Sequence, residues 1–317
     1  MNPRDASALD AARLYYERGL SQAEVADSLG VSRPTVSKLI QHAKDRGFVT
    51  VTINDPREND AALADAVRRA FGLAEVRLAR SHPDDASTLA ELGAVGAAVL
   101  AEQVRDGDLL GVTWGNTMYA VARHLTPQPR SGVEVIALKG GSSLTSRSTG
   151  DVETIGLFCD AFHAHARTLP LPVIFDSAEA KRIVEQERHI RHVIELGQEA
   201  QVAVFTVGAV EPSAMLFNLG YLTEPERAYL LEHAAGDICS RFFDDSGDVC
   251  LPELDARTVG VPLADLRLKR TRILVAGGAQ KLRGLTVALR AGYATHLVTD
   301  RKTAQLVLDA DPTPELR

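Results

Sequence analysis

One lysine in the sequence has the position and the neighbours of a reactive amine. Residues 133–138 (VEVIAL) are typical of a buried strand, and Lys139 follows them directly, before Gly140 and Gly141. At a strand end that faces helix N-termini, an amine is partly desolvated and lies in a positive field, and both effects lower the pKa of a lysine. The neutral amine can attack an aldehyde to give an imine. Alternatively, Lys139 holds a phosphate or pairs with a carboxylate without covalent chemistry.

Polar residues also follow glycine turns in other predicted strand–helix segments, namely TWGNT (113–117), GGSS (140–143) and AGGAQK (276–281). Turns of this kind can bring backbone N–H groups and a helix dipole to an anion. In RFFDDSG (241–247), Asp244 could accept hydrogen bonds from sugar hydroxyls. Each of these residues could instead cap a turn or a helix. The candidate effector-binding residues are Gly115, Asn116, Thr117, Lys139, Gly140, Gly141, Ser142, Ser143, Asp244 and Lys281.

Repeated strand–turn–helix segments must position these residues. Such segments occur at 108–125, 133–143, 201–210, 272–292 and 294–308. Apolar strands that alternate with helices predict an α/β domain with a doubly wound, mostly parallel sheet and helices on both faces. Open sheets of this class bind ligands outside the carboxyl ends of their strands, where the candidate residues lie.

The N-terminal segment has a different pattern, with three predicted helices in residues 7–19, 21–30 and 32–47, followed by a short strand at 48–53. Ser21 and Glu24 have the spacing of a capping box, and Ser32 precedes the third helix as its N-cap. Gly30 provides the tight turn between the last two helices. These features predict a helix-turn-helix, packed through Ala23, Val25, Ala26, Leu29, Val31, Val36 and Leu39.

The third helix would present its N-terminal half to the major groove of DNA, as helix-turn-helix proteins do. Arg33 could read a base or hold a phosphate. The alternative is a three-helix packing module with a solvated basic face. A single small DNA-binding domain binds DNA weakly, so we expect a homo-oligomer, either a dimer or a tetramer. The candidate DNA-binding residues are Ser21, Gln22, Ser32, Arg33, Pro34, Thr35, Ser37 and Lys38.

Composition and charge limit the class of protein. The chain has 317 residues, is 45% hydrophobic and has a net charge of −7. Residues 1–53 carry seven basic and six acidic residues, whereas the rest carries 28 and 36, so DNA contacts are expected in the first segment. We therefore predict a DNA-binding domain at 1–53, a linker at 54–60 and an effector-binding and oligomerisation domain at 61–317. With neither a secretory signal nor an apolar run of membrane-spanning length, the protein is expected to be cytoplasmic.

Several of these segments together resemble the SorC family of transcriptional regulators. The resemblance covers nearly the whole chain, through residues 15–53, 109–125, 236–247, 275–292 and 297–308. It implies an N-terminal DNA-binding domain and an effector domain similar in fold to sugar-phosphate isomerases and glucosamine-phosphate deaminases. Members are typically oligomeric repressors or activators that respond to phosphorylated sugars, and the resemblance favours a phosphate contact for Lys281.

Within that family, LKGGSS (138–143) is most similar to the branch of deoxyribonucleoside regulators. This narrower resemblance implies that Lys139 forms a Schiff base with deoxyribose 5-phosphate, whose open-chain form carries an aldehyde. Other branches generally lack a lysine at this position. We expect a repressor whose affinity for operator DNA falls when the sugar phosphate binds.

A sugar-phosphate isomerase, deaminase or aldolase with an appended helical domain is the alternative function. Such an enzyme needs a proton-transfer group beside its substrate, and the sequence offers only Asp151 and Asp244 as loose candidates. The histidines and the three cysteines lack metal-ligand spacing, and no nucleotide-binding motif is present. We therefore expect no catalytic residue, metal or cofactor, and no membrane partner.

Overall fold

The computed structural model describes residues 3–49 and 60–310. The chain divides into two compact units, Met1–Glu58 and Asn59–Arg317. The predicted linker at 54–60 lies outside the described residues except for Asp60, which begins a helix rather than ending a linker. The predicted strand at 48–53 also lies largely outside them, and Phe48 and Val49 do not form a strand.

The first unit contains α1 (Pro3–Ala12), a π-helical turn (Arg13–Glu17), α2 (Gln22–Leu29) and α3 (Arg33–Asp45). The predicted capping box is present, because Ser21 Oγ accepts from the Glu24 N–H at 3.3 Å and Glu24 Oε2 accepts from the Ser21 N–H at 2.8 Å. Gly30 ends α2 with φ of 65°, a left-handed conformation that glycine adopts without strain. These local signals therefore determine where the two helices begin and end.

The core of this unit differs in part from the predicted one. Ala23 and Val31 are exposed and do not belong to the core. Residues of α1 contribute to the core instead, and α1 packs mainly against α3. The buried residues are Ala8, Ala11, Ala12, Val25, Ala26, Val36, Leu39, Ile40 and Ala43.

The second unit alternates helices and strands. It begins with α4 (Asp60–Ala70), β1 (Glu75–Ala79), α5 (Asp85–Gln103), β2 (Leu109–Val112), α6 (Asn116–His124), β3 (Glu134–Ala137), α7 (Asp151–Phe162) and β4 (His165–Arg167). It continues with α8 (Ala178–Glu185), α9 (Arg188–Glu199), β5 (Val202–Phe205), α10 (Glu224–His233), β6 (Gly236–Ile238), β7 (Arg241–Phe243) and α11 (Pro252–Asp255). It ends with α12 (Leu263–Arg267), β8 (Thr271–Val275), α13 (Leu282–Arg290), β9 (His296–Asp300) and α14 (Arg301–Ala310), with 3₁₀ turns at Leu216–Asn218 and Ala279–Lys281.

Seven strands form one parallel sheet in the order β1-β9-β8-β5-β2-β3-β4, which confirms the predicted fold class. Successive residues of β5 point to opposite faces, as strand geometry requires. Val204 packs with Met118 of α6 and Phe158 of α7 on one face, whereas Phe205 packs with Leu285 of α13 on the other. Both faces of the sheet are therefore covered by helices.

The direction of the strand connections changes in the middle of the sheet. From β2 the chain proceeds to β3 and β4 toward one edge, whereas from β5 it proceeds to β8 and β9 toward the other. Because β2 and β5 are neighbours, the connections diverge between their carboxyl ends. Open α/β sheets form their ligand crevice at such a point.

Candidate functional site

A cavity of about 260 Å³ lies where the strand connections diverge. Residues 113–117 follow β2 and line it, together with Lys139 after β3 and Thr206 after β5. The β6–β7 hairpin and the turn before α13 contribute the other walls through Asp237 and Lys281. The fold thus brings together Gly115, Asn116, Thr117, Lys139 and Lys281, which the sequence predicted as effector-binding residues.

Lys139 is 9% exposed, and its Nζ lies 3.5 Å from the centroid of the Trp114 ring. Burial lowers the pKa of Lys139, because removal from water disfavours the charged amine, and nearby Asp237, Cys239 and Asp151 only oppose this effect. Among the residues that the structure describes, no carboxylate forms an ion pair with Nζ. Burial therefore disfavours the charged amine, whereas the indole face favours it, and only the neutral form can attack an aldehyde.

Trp114 positions this amine. Its indole Nε1 donates a hydrogen bond to the Gly140 carbonyl at 2.9 Å, which holds the ring with its face toward the Lys139 Nζ. Trp114 and Lys139 also line a second cavity of about 420 Å³, which extends along α7. Apolar side chains line this cavity, among them Ile155 of α7 and Leu169, which follows β4. The lysine and the indole therefore lie between two cavities of different polarity.

Lys281 lies within the same cavity as Lys139, at the end of the 3₁₀ turn before α13. Its Nζ donates hydrogen bonds to Thr206 Oγ1 at 3.0 Å and to Thr117 Oγ1 at 3.2 Å. Burial lowers its pKa to about 8, while the charge of Asp237 opposes the shift. Lys281 therefore remains largely charged at neutral pH and is positioned to pair with an anion.

The N-terminus of α6 lies beside Lys281. Gly115 precedes the helix with φ of 123°, a conformation that a side chain rarely adopts, so glycine is required there. Asn116 and Thr117 form the first turn, whose N–H groups have no partner within the helix. A helix N-terminus of this kind favours an anion such as phosphate.

The GGSS segment (140–143) was predicted to contribute to the effector site, but its residues do not line the cavity. The N–H of Gly140 donates to Val259 O, and the N–H groups of Gly141 and Ser142 both donate to Leu171 O. These donors are consequently used within the protein and are not available to an anion. The prediction of a backbone cradle at Gly140 and Gly141 is wrong for this physical reason.

Close packing explains the glycines of this segment instead. A Cβ on Gly140 would overlap the Pro172 carbonyl, and one on Gly141 would overlap the Asp151 carboxylate. Ser143 Oγ accepts a hydrogen bond from the Thr145 N–H at 3.2 Å, so its side chain caps a local turn. The next helix, α7, starts ten residues after Gly141, so no helix N-terminus directly follows the glycines.

Asp244 also lies away from the cavity. It follows β7, and its Oδ1 accepts hydrogen bonds from the N–H groups of Ser246 at 2.9 Å and Asp248 at 3.2 Å. The side chain therefore caps the turn after β7, which is the alternative that the sequence left open. Its prediction as an effector contact is corrected on this geometry.

Sequence reasoning missed the acidic residue that does line the cavity. Asp237 belongs to the three-residue strand β6 and to residues 236–247, which resemble the SorC family, but no chemical motif in that segment marks it as a site residue. It reaches the site because the hairpin packs against the turn after β5, where Gly208 and Asp237 exchange backbone hydrogen bonds. Only the tertiary fold brings it beside Lys139 and Lys281.

In the N-terminal unit, the candidate DNA-binding residues form an accessible surface at the start of α3. Arg33, Thr35, Ser37 and Lys38 are exposed, as are Ser21, Ser32 and Pro34, and Gln22 is half-buried. Ser32 Oγ lies 2.8 Å from Thr35 Oγ1 and accepts from the Thr35 N–H at 3.4 Å. Ser21 and Ser32 therefore act as helix caps in this structure, whereas the side chains of Arg33, Ser37 and Lys38 form no hydrogen bond or ion pair within residues 3–49 and 60–310.

Other kinds of site find no support in the part of the chain that the structure describes. Within residues 3–49 and 60–310, no group of His, Cys, Asp and Glu side chains could hold a metal ion. No helix in these two ranges is long and apolar enough to cross a membrane.

Comparison with known proteins agrees with this architecture. Residues 55–309 match the sequence profile of a sugar-binding domain family, and residues 6–57 match that of the MarR family. The deoxyribonucleoside regulator of Bacillus subtilis is 47% identical over 302 residues, which cover 95% of this chain and 96% of the relative. The crystal structure of the full-length sorbitol operon regulator SorC from Klebsiella pneumoniae superposes with a TM-score of 0.74 at 27% identity, covering 97% of this chain and 100% of that one. The chain belongs to the SorC family of transcriptional regulators.

As a SorC-family member, the protein is a sugar-responsive transcriptional regulator with an N-terminal helix-turn-helix of the MarR kind and a C-terminal sugar-binding domain. The sugar-binding unit also resembles a domain of a possible sugar-binding transcriptional regulator from Arthrobacter aurescens TC1, with a TM-score of 0.73 and 29% identity over 80% of this chain and 100% of that one. The predicted family and fold are thereby confirmed. The cavity described above lies in the sugar-binding domain.

Proposed function

We propose that this SorC-family regulator is a repressor that binds operator DNA through α2 and α3 and loses affinity when a phosphorylated sugar occupies the cavity. The observation that carries the proposal is the placement of two lysines with different electrostatic environments in one cavity. Lys139 is buried against an indole, and Lys281 donates hydrogen bonds beside a helix N-terminus. The first environment suits an aldehyde, and the second suits a phosphate.

Deoxyribose 5-phosphate fits both requirements. Its open-chain form has an aldehyde at one end and a phosphate at the other, so Lys139 would form an imine while Lys281 and the first turn of α6 hold the phosphate. The name of the 47% identical relative, a deoxyribonucleoside regulator, supports the same class of effector. We propose that the cavity binds this effector reversibly and does not turn it over.

DNA recognition is assigned to the exposed start of α3. Arg33 and Lys38 are exposed cations on this helix, and contacts from them to phosphates would make the affinity fall as salt rises. One such unit offers a small contact area, so we propose that a homo-oligomer, a dimer or a tetramer, places at least two units on the operator. Effector must then bind more tightly to the DNA-free form by the same factor by which it weakens DNA binding.

A gel shift on the DNA upstream of the protein's own gene tests this function. The full-length protein should retard the fragment at low salt, and deoxyribose 5-phosphate should release it. The reduced sugar alcohol phosphate, which has no aldehyde, is the matched ligand and should release the fragment only at much higher concentration. Absence of any shift at low salt would remove the proposed regulation, whereas equal release by both ligands would remove only the imine.

A further inference from the structure

The β6–β7 hairpin places an acidic side chain at the wall of the cavity, in the electrostatic range of both lysines. Asp237 is 9% exposed, and burial raises the pKa of its carboxyl because removal from water disfavours the carboxylate. The charges of Lys139 and Lys281 act in the opposite direction without reversing the shift. Asp237 and Lys139 thus line one cavity, and burial disfavours the charged form of each.

The carboxyl group is oriented by its surroundings and keeps one oxygen free. Asp237 Oδ2 accepts a hydrogen bond from the Ser240 N–H at 3.2 Å. A Cβ on Gly208 would overlap Oδ1, so the space that this oxygen occupies depends on a glycine. Across residues 3–49 and 60–310, Oδ1 has no hydrogen-bond partner. This oxygen is therefore the one available to a ligand in the cavity.

The hairpin turn beside Asp237 has a left-handed backbone and lies next to two buried hydroxyl groups without partners among the described residues. Cys239 and Ser240 have φ of 54° and 65°, a left-handed conformation that is costly for residues other than glycine, asparagine and aspartate. Ser240 and Thr113 belong to the lining of the same cavity, and the hydroxyl oxygens of both are buried without a hydrogen-bond partner among the described residues. Such groups are costly unless a ligand or water satisfies them.

We propose that Asp237 is the proton-transfer residue for imine formation at Lys139. This inference rests on the proposed function, since it requires an aldehyde as effector. The neutral Nζ attacks the carbonyl carbon, a C–N bond forms, the C=O π electrons move to oxygen, and a proton passes from nitrogen to that oxygen. Asp237 then donates its proton to the resulting hydroxyl. The C–O bond breaks, water leaves, and the nitrogen lone pair completes the C=N bond.

The products of this step balance in charge. A neutral amine, a neutral aldehyde and a protonated carboxyl become an iminium cation on Lys139, one water molecule and the Asp237 carboxylate. The carboxylate formed in this way lies beside the new cation, so the step creates a buried ion pair rather than an isolated charge. Hydrolysis returns the proton along the same path, which keeps the binding reversible.

Asp151, the other carboxylate that acts on Lys139, is in a different position. It lines the second cavity and begins α7. Its Oδ1 also accepts a hydrogen bond from Thr149 Oγ1 at 2.7 Å. Asp151 is half-buried, whereas Asp237 lines the cavity that also contains Lys281. Asp151 is therefore the matched control for Asp237.

Timed borohydride quenching of the full-length protein with deoxyribose 5-phosphate measures the rate of imine formation. We expect Asp237→Asn to slow it by roughly 100-fold, the usual contribution of a positioned proton donor. Asp237→Glu, which keeps an acid, should recover part of that rate, and Asp151→Asn should stay within about threefold of wild type by the same principle. Affinity for the reduced sugar alcohol phosphate, measured by calorimetry, should be nearly unchanged in all three variants.

The outcomes separate this inference from the function on which it rests. If the wild type forms no adduct, the proposed imine fails and Asp237 has no step to assist. If the wild type reacts and Asp237→Asn reacts equally fast, the proton-transfer role is wrong. If Asp237→Asn and Asp237→Glu both lose affinity for the alcohol phosphate, Asp237 holds the ligand or the fold instead, and the inference is overturned as well.

Discussion

Replacing Lys281 with methionine should change how the stability of the protein depends on pH. Burial lowers the pKa of Lys281 from 10.5 to about 8. Since one pKa unit corresponds to about 1.4 kcal/mol, this lowering of the pKa amounts to about 3 kcal/mol of destabilisation at low pH. The unfolded chain binds the proton up to pH 10.5 while the folded chain releases it near pH 8, so stability rises with pH across this window.

Lys281→Met removes this titration together with the hydrogen bonds to Thr117 and Thr206. The absolute change at one pH therefore combines two opposing effects, a relieved buried charge and two lost hydrogen bonds of about 1 kcal/mol each. The pH dependence isolates the first of them. The stability of the variant relative to wild type should fall by about 2.5 kcal/mol between pH 7 and pH 10, because only the wild type gains from losing the proton.

Urea unfolding at pH 7 and pH 10 measures both free energies, with circular dichroism as the signal. Lys302→Met is the matched control, because it makes the same substitution at an exposed lysine of α14. A difference between wild type and Lys281→Met that stays constant from pH 7 to pH 10 would show that Lys281 is not desolvated. The assignment of this residue to a phosphate in a buried cavity would then lose its physical basis.

Three further predictions follow from single side chains. Trp114 is the only tryptophan in the chain and its ring contacts the Lys139 amine, so deoxyribose 5-phosphate should change the fluorescence saturably in wild type and not in Lys139→Met. Asp244→Asn should bind effector within about threefold of wild type in calorimetry, because its side chain caps a turn outside the cavity and asparagine can accept the same hydrogen bonds. Gly208→Ala should lower the free energy of urea unfolding by about 1–3 kcal/mol, because its Cβ would overlap the Asp237 carboxylate; an unchanged value would mean that the carboxylate moves freely.

Local sequence signals were sufficient for several elements. Ser21 and Glu24 form the capping box that their spacing predicted, and Gly30 has the left-handed conformation expected at the end of α2. The central strands β2, β3, β5, β8 and β9 were visible as apolar runs because both of their faces are buried. Gly115 and Lys139 reached the predicted edge of the sheet because the residue after a parallel strand always lies there.

Long-range contacts explain what the sequence did not reveal. The edge strands β1 and β4 were not predicted, because they are partly exposed and lack a continuous apolar run. Gly140 and Gly141 looked like an anion cradle, but their N–H groups bond to carbonyls of Leu171 and Val259, which no local pattern specifies. Asp237 was missed for the same reason, since a hairpin that lies about 100 residues after Lys139 brings it to the site.

The sequence argued against an enzyme because it offers no distinct proton-transfer group, and Asp237 changes that argument. A buried acid beside a buried lysine is sufficient for reversible imine formation. A regulator that binds its effector covalently requires reversible imine formation without turnover of the effector. The presence of Asp237 therefore agrees with a regulator whose sugar-binding domain carries out this one enzyme-like step. The relatives with full-length matches are named as regulators, in agreement with this assignment.

Borohydride reduction of the full-length protein in the presence of deoxyribose 5-phosphate, followed by peptide mass mapping, tests the central claim most directly. We predict a single reduced adduct on the peptide that contains Lys139, no adduct on the peptide that contains Lys281, and no adduct at all in Lys139→Met. Saturable binding of the sugar phosphate with Lys139 left unmodified, or an adduct on a different lysine, would contradict the account.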